Sequence, residues 1–136
     1  MWGLRAPHYK TMKKIQVIGL PAAGKTTGIN LYSDKNLVSI VDIRSFINKK
    51  EASFIEQIRR QDTNTIAESA CGVDVSGTYI VKLVVERSRL INNLQLRGDK
   101  LDKNYIQYLI EQQLPANYIV HNTYDLAEIL ETIFKS

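Results

Sequence analysis

The chain has 136 residues, of which 44% are hydrophobic and 24% charged, as in an ordinary single globular domain. No apolar run approaches the ~18 residues that a membrane-spanning helix needs. The single cysteine, Cys71, excludes an internal disulfide and indicates a reducing, cytoplasmic setting. The net charge is +4, and Arg5 and Lys10 supply two of these charges. The remaining +2 is too small to indicate a nucleic-acid-binding surface.

The first eleven residues do not fit the pattern of the rest of the chain. Met12 begins a segment that leads directly into an apolar run, as a natural chain start would. Trp2 and Tyr9 could instead pack on the surface as part of an ordered arm. We favour an extension at residues 1–11 and place the domain at residues 12–136.

From residue 12 onward, short apolar runs alternate with amphipathic helical patterns. In chain order we predict a strand at 15–19, a helix at 25–32, a strand at 36–41, a helix at 46–58, strands at 65–67 and 78–85, helices at 90–97 and 101–113, a strand at 118–120 and a final helix. Asn122 or Thr123 would cap that last helix. Apolar strands separated by amphipathic helices predict an α/β fold with a parallel five-stranded sheet and helices on both faces.

The segment between the first strand and the first helix matches the pattern G-x-x-x-x-G-K-[ST] at every fixed position. Glycines let backbone N–H groups approach phosphate oxygens, and the following helix adds its positive end. Lys25 would reach the β- and γ-phosphates, and the Thr26 hydroxyl would bind Mg²⁺. This pattern therefore predicts binding of ATP with Mg²⁺. The residues expected around the phosphates are Gly19, Leu20, Pro21, Ala22, Ala23, Gly24, Lys25, Thr26 and Thr27.

Two carboxylates follow predicted strands directly. Asp42 follows the second strand and Glu68 the third. In open α/β sheets the ligands lie beyond the carboxyl ends of the strands, so both side chains should reach the site. Either could hold a magnesium-bound water or accept a proton from an attacking hydroxyl. A helix N-cap at Asp42 and a salt-bridged rim residue at Glu68 are the structural alternatives.

Arg87, Arg89 and Arg97 follow the fourth predicted strand. Phosphoryl transfer spreads negative charge over the transferred group, and a planar guanidinium can neutralise two oxygens at once. Arg89 and Arg97 would share one side of a helix. We expect at least one of the three to contact phosphate, with Arg87 as first choice, against the alternative of a solvated basic face. Arg44 is a weaker candidate for holding an acceptor phosphate.

Together these motifs resemble the nucleoside and nucleotide kinase branch of the P-loop proteins. The segment 114–123 is similar to the last strand and adenine-side loop of dephospho-CoA kinases and nucleoside monophosphate kinases. The resemblance implies a three-layer P-loop fold with sheet order 2-3-1-4-5 and ATP as the phosphate donor. It also implies a lid between Arg87 and Arg97 that carries an arginine for the transferred phosphoryl group.

We therefore expect an ATP-dependent kinase of a small acceptor, in first place a nucleoside or nucleotide. Its catalytic residues would be Lys25, Asp42, Glu68, Arg87 and Arg97, with Thr26 and Asp42 at the metal. The stretch between the second and third strands is short, which leaves open an ATP-binding regulatory module without efficient transfer. A polynucleotide 5′-kinase is the third alternative, disfavoured by the small net charge. No Asn-Lys-x-Asp element is present to bind guanine, so a GTPase is disfavoured.

Overall fold

A computed structural model describes residues 12–32, 37–41, 51–98 and 103–136. Within these ranges the elements are β1 (Lys14–Ile18), α1 (Lys25–Leu31), β2 (Val38–Val41), α2 (Glu51–Arg60), β3 (Thr65–Ser69), β4 (Thr78–Leu83), α3 (Arg87–Leu96), α4 (Lys103–Gln112), β5 (Tyr118–Val120) and α5 (Thr123–Lys135). No helix in the described ranges has the length and apolar character needed to cross a bilayer. The segment 1–11 lies outside them, as does residue 46, where we expected the second helix to begin.

All paired strands are parallel, and their order is β2-β3-β1-β4-β5. This confirms the predicted fold class and strand order. Strand β1 is central, and its last residue, Ile18, pairs with Ser69 of β3 and Lys82 of β4. The carboxyl ends of three neighbouring strands therefore lie at one edge, where the segment after β1 begins.

One face of the sheet packs against α1, α3 and α5. The strands contribute alternate residues to this face, because side chains in a strand point to opposite faces in turn. Its buried apolar residues are Ile15, Val17, Ala23, Ile29, Ile66, Val81, Leu83, Leu90, Leu94, Leu126, Leu130 and Ile133. The two leucines of α3 belong to this core, and this fixes which side of α3 faces inward.

The opposite face carries a smaller core beneath α2. Its buried residues are Ile40, Phe54, Ile58, Ala67, Val73 and Val75. Val73 and Val75 come from the connection 70–77, which joins β3 to β4 across β1 and contains no helix or strand. This side of the sheet is therefore covered in part by loop rather than by helix.

Gln16 stabilises that connection from the middle of β1. Its side chain is fully buried. The amide nitrogen donates to the Val73 carbonyl (2.8 Å) and to the Thr78 hydroxyl (3.0 Å), and the amide oxygen accepts from the Val73 N–H (2.9 Å). Every polar atom of the buried amide thus has a partner, as burial requires.

Helices α1 and α5 pack closely because α1 contains a glycine at their contact. A Cβ at Gly28 would lie 2.5 Å from Leu126 Cδ2 and 3.1 Å from its Cγ. The rings of Tyr32 and Phe134 stack near the end of α1, with centroids 5.5 Å apart. This contact matters for the site, because α1 begins at the lysine of the phosphate-loop pattern.

Three sequence predictions about local structure have clear outcomes. Strand β3 continues through Glu68 and Ser69 instead of ending at residue 67, because both residues pair with β1. Strand β4 ends at Leu83, two residues earlier than predicted. Asn122 caps α5 as expected, since its Oδ1 accepts a hydrogen bond from the Asp125 N–H (2.8 Å).

Candidate phosphate-binding site

The segment between β1 and α1 folds into a tight turn followed by the helix. The Ala23 N–H donates to the Leu20 carbonyl (3.1 Å), which closes a four-residue turn. Pro21 takes the second position, where its fixed φ is favourable, and Ala22 takes the third position with φ of 67°. A positive φ at the third position is typical of a type II turn, in which glycine or asparagine is favoured there. The backbone at Ala22 is therefore strained.

The two glycines of the pattern are required by close approaches. A Cβ at Gly19 would lie 2.9 Å from the Leu83 carbonyl oxygen of β4. Gly24 has φ of 103°, and a Cβ there would lie 2.9 Å from Thr123 Cγ2 at the start of α5. A side chain at either position would force the turn away from the strands or from α5.

Lys25 is the first residue of α1 and folds back over the turn. Its ammonium donates to the Gly19 carbonyl (2.5 Å) and to the Leu20 carbonyl (3.1 Å). The pKa of Lys25 is lowered from 10.5 to about 8, mainly by burial. The Glu68 carboxylate acts to raise this pKa, and the Arg97 guanidinium contributes to lowering it. The ammonium is thus a desolvated charge held at the turn, where an incoming phosphate could take over its hydrogen bonds.

Thr26 and Glu68 meet beside this lysine. The Thr26 hydroxyl donates to Glu68 Oε2 at 2.7 Å. Glu68 lies in β3 with only 8% of its surface exposed, whereas Thr26 is exposed. A hydroxyl and a carboxylate on neighbouring elements are hard oxygen ligands, the type that Mg²⁺ prefers when it also binds substrate phosphates. Among the described residues no group of three His, Cys, Asp or Glu side chains could hold a metal ion by itself.

Helix α3 closes the other side of the turn. A cavity of about 490 Å³ lies between them. Its lining residues are Pro21, Ala22, Gly24, Lys25, Thr26, Thr27, Glu68, Asn93, Leu96 and Arg97. The cavity thus brings together most of the predicted phosphate-binding residues, one predicted carboxylate and one of the three predicted arginines.

The other two arginines lie elsewhere. Arg87 begins α3 and lines a separate, largely apolar cavity of about 390 Å³, which is also lined by β4, α4 and the turn residues Leu20 and Ala23. Arg89 lines a third cavity, of about 480 Å³, together with His121 and Asn122 of the β5–α5 loop. Arg89 and Arg97 line different cavities because they lie at opposite ends of α3. Arg89 is in the first turn and Arg97 follows the last residue, so they are about 12 Å apart along the helix axis.

Two candidates that follow the second strand fall outside the described residues. Asp42, predicted to orient the acceptor or bind metal, and Arg44 both lie in the undescribed segment 42–50. Their roles stay predictions.

Asn93 is a site residue that the sequence analysis did not identify. Its side-chain amide nitrogen donates to the Ala22 carbonyl at 3.1 Å. The signal available in the sequence was its position, three residues after Leu90 and four before Arg97, which places all three near one side of a helix. Asparagine is common on exposed helix faces, so that spacing alone does not point to a contact with the turn.

No protein-family model matches the chain, and no curated protein matches it in sequence. Solved structures do share its fold. A sugar kinase from Janibacter sp. HTCC2649, in an unliganded crystal structure, has a TM-score of 0.68 and 13% identity, and the match covers 90% of this chain and 94% of that one. A shikimate kinase from Bacteroides thetaiotaomicron has a TM-score of 0.53 and 18% identity, and the match covers 93% and 100%.

At these identities the likeness establishes the fold alone. The chain has the α/β P-loop fold found in these two kinases, over nearly the whole length of each. The narrower resemblance to nucleoside monophosphate and dephospho-CoA kinases stays a prediction, because neither neighbour belongs by name to those groups.

Proposed function

We propose that this protein is an ATP-dependent phosphotransferase that acts on a small acceptor. The observation that carries the proposal is the cavity between the turn and α3. It combines the partly buried Lys25 ammonium, a Thr26–Glu68 hydroxyl–carboxylate pair at 2.7 Å and the Arg97 side chain. The two solved structures that share the fold are both kinases, and this favours phosphoryl transfer over the other functions of P-loop proteins.

The phosphates of ATP would bind at the turn and the start of α1. Backbone N–H groups of the first turn of the helix would donate to phosphate oxygens. The Lys25 ammonium would give up its hydrogen bonds to the Gly19 and Leu20 carbonyls and donate to phosphate oxygens instead. Thr26 and Glu68 would hold Mg²⁺. The ion, when bound there, would neutralise part of the negative charge of the phosphates.

The adenine base would occupy the cavity at the β5–α5 loop. That loop is anchored to the sheet, because His121 Nδ1 lies 3.0 Å from the Val84 carbonyl. The Arg89 side chain faces the same cavity, and a planar guanidinium can stack on a base. Gly24 lies in the turn of residues 19–24, here called the phosphate turn, and packs closely against Thr123 at the end of the β5–α5 loop. This proximity suits a single nucleotide that spans the turn and the loop.

The transfer step would be a direct displacement. The acceptor hydroxyl attacks the γ-phosphorus, the bond from that phosphorus to the bridging oxygen of ADP breaks, and the hydroxyl proton passes to a carboxylate. Asp42 is the proposed carboxylate, since it comes directly after β2 in the sequence and the carboxyl end of that parallel strand is at the same edge of the sheet as the turn. Arg97 would neutralise charge on the phosphoryl group as it moves.

The acceptor is proposed to be a small hydroxyl- or phosphate-bearing molecule, with nucleosides and nucleotides in first place. Sugars and shikimate, which the names of the structural neighbours specify for those proteins, are the other acceptors to test. A polynucleotide 5′ end remains disfavoured by the small net charge.

An ATP-binding module without efficient transfer is the second candidate. It is favoured by the short stretch between β2 and β3, residues 42–64, which leaves little chain for an acceptor-binding region.

The deciding experiment is a screen for acceptor-stimulated release of ADP. Nucleosides, nucleoside monophosphates, sugars and shikimate would each be added to the protein with ATP and Mg²⁺. We expect one class to stimulate ADP release well above the reaction with water, and Lys25→Ala to abolish that release and weaken ATP binding in calorimetry. If no acceptor stimulates release while ATP still binds through Lys25, the passive ATP-binding module is the better account. Unchanged ATP affinity in Lys25→Ala would contradict the phosphate site itself.

A further inference from the structure

We propose that Asn93 is a positioning residue that couples the conformation of the phosphate turn to the placement of Arg97. This inference rests on the proposed function, because it assumes that phosphates bind at the turn and that Arg97 acts on them. It assigns a role to a side chain that neither the phosphate-loop pattern nor the arginine series identifies.

The first step is the strain at Ala22. An L-residue with a side chain rarely adopts the positive φ of 67° found there. Such a conformation persists when its surroundings hold it in place, and strained positions of this kind concentrate at ligand-binding turns. The turn therefore needs contacts from outside itself.

The second step is the way in which the Ala22–Ala23 peptide unit is held. Its N–H donates to the Leu20 carbonyl (3.1 Å), and its carbonyl accepts from the Asn93 amide nitrogen (3.1 Å). Because the peptide unit is planar, fixing both polar atoms fixes the orientation of the whole unit. A carbonyl only accepts, so Asn93 must present its nitrogen here. Asn93 therefore supplies the outside contact.

The third step links Asn93 to Arg97. The Arg97 N–H donates to the Asn93 carbonyl (3.2 Å) at the end of α3, one helical turn further along. Leu90 and Leu94 of the same helix are buried in the core and hold α3 against the sheet. Both Asn93 and Arg97 line the cavity that contains Lys25. A change in the turn at Ala22 is thus transmitted through one side chain to the helix end that carries Arg97.

Removal of the Asn93 amide should mainly affect the rate of transfer. Misplacing a group that acts in the transition state by about 1 Å can cost up to ~10²-fold. We expect Asn93→Ala to lower kcat by about tenfold or more, while the KM for ATP changes less than about threefold. Asn92→Ala is the matched control, because Asn92 is the same residue type on the same helix and is exposed. That control should leave both constants unchanged.

A double variant separates positioning from a general structural effect. If Asn93 acts through Arg97, Asn93→Ala should lower kcat little or not at all in the Arg97→Ala background. An equal fall in kcat in both backgrounds would overturn the proposal. So would an Asn93→Ala protein with wild-type kcat.

Hydrogen exchange tests the same coupling without any transfer reaction. In the wild type and in Asn92→Ala, ATP with Mg²⁺ should slow amide exchange both at the turn and along α3. In Asn93→Ala the slowing should persist at the turn and be lost along α3. If α3 is slowed equally in Asn93→Ala, or not slowed in the wild type, the coupling is refuted. If the expected pattern is found but no acceptor stimulates ADP release, the coupling stands and the transferase proposal fails.

Discussion

Lys25 is the residue whose charge state should control ATP affinity near neutral pH. With a pKa of about 8, its protonated fraction falls from about nine tenths at pH 7 to about one tenth at pH 9. Binding of a triphosphate favours the ammonium, so ATP must recruit a proton above pH 8. We expect the Kd for ATP to rise about tenfold between pH 7 and pH 9. Titration calorimetry in two buffers of different ionisation enthalpy would detect the uptake of the proton.

The matched control for this pH dependence is Lys25→Arg. Arginine stays protonated throughout this range, so its ATP affinity, although weaker, should be flat between pH 7 and pH 9. If the Kd of the wild type for ATP does not change between pH 7 and pH 9, the Lys25 ammonium is not desolvated, contrary to what the geometry indicates.

Arg97 and Arg87 form a second comparison at the residue scale. Arg97 lines the cavity with Lys25, and Arg87 lines a different one. Since an interaction made mainly in the transition state affects the rate more than ground-state binding, we expect Arg97→Ala to reduce kcat by on the order of 10²–10³ with only a few-fold change in the Kd for ATP. Arg87→Ala should reduce kcat far less.

Arg97→Ala also has an independent readout. Arg97 lowers the pKa of Lys25, so its removal should move the midpoint of the ATP-affinity profile to higher pH. If Arg87→Ala instead gives the larger loss of kcat, the kinase proposal survives and Arg87 is the lid arginine, as we first expected from the sequence.

At the scale of elements, the contact between α1 and α5 positions the start of α1, the helix proposed to bind phosphate. Gly28→Ala should destabilise the protein, because the new methyl group would overlap Leu126. Overpacking typically costs about 1–3 kcal/mol, while the better helix propensity of alanine returns about 1 kcal/mol. Because a 2.5 Å approach is a severe overlap, the cost should lie at the upper end of this range, and a net loss of about 2 kcal/mol is expected in urea unfolding.

Asn30→Ala is the control for helix propensity, since Asn30 is exposed on the same helix. It should be neutral or slightly stabilising. Leu126→Ala should make Gly28→Ala nearly harmless when the two are combined, because the overlap is gone. A Gly28→Ala protein as stable as the wild type would mean that α5 moves aside without cost.

At the scale of the whole molecule, the domain should not need residues 1–11. The start of β1 is held by later residues: the Lys13 N–H donates to Asn64 Oδ1 (2.9 Å), and the Lys13 carbonyl accepts from the Thr65 N–H (3.0 Å). Deletion of residues 1–11 should therefore leave the melting temperature and ATP affinity unchanged. A fall of several degrees in differential scanning fluorimetry would show that Trp2 or Tyr9 packs on the domain.

The sequence by itself determined the order and type of the elements and the position of the phosphate turn. These follow from local rules. Each signal involves only residues that are close in the sequence. The signals are the runs of β-branched residues, the spacing of apolar residues on helices, the glycine–lysine pattern and the cap at Asn122. The strand order came from resemblance, and the paired strands confirm it.

Only the tertiary structure decided which side chains meet. Glu68 reaches Thr26 because pairing with β1 extends β3 by two residues. Arg97, rather than Arg87, lines the cavity with Lys25 because the carboxyl end of α3, and not its amino end, packs beside the turn. The bond from Asn93 to Ala22 joins residues 71 positions apart. Contacts of this kind depend on how whole elements pack, and local sequence patterns carry no information about that packing.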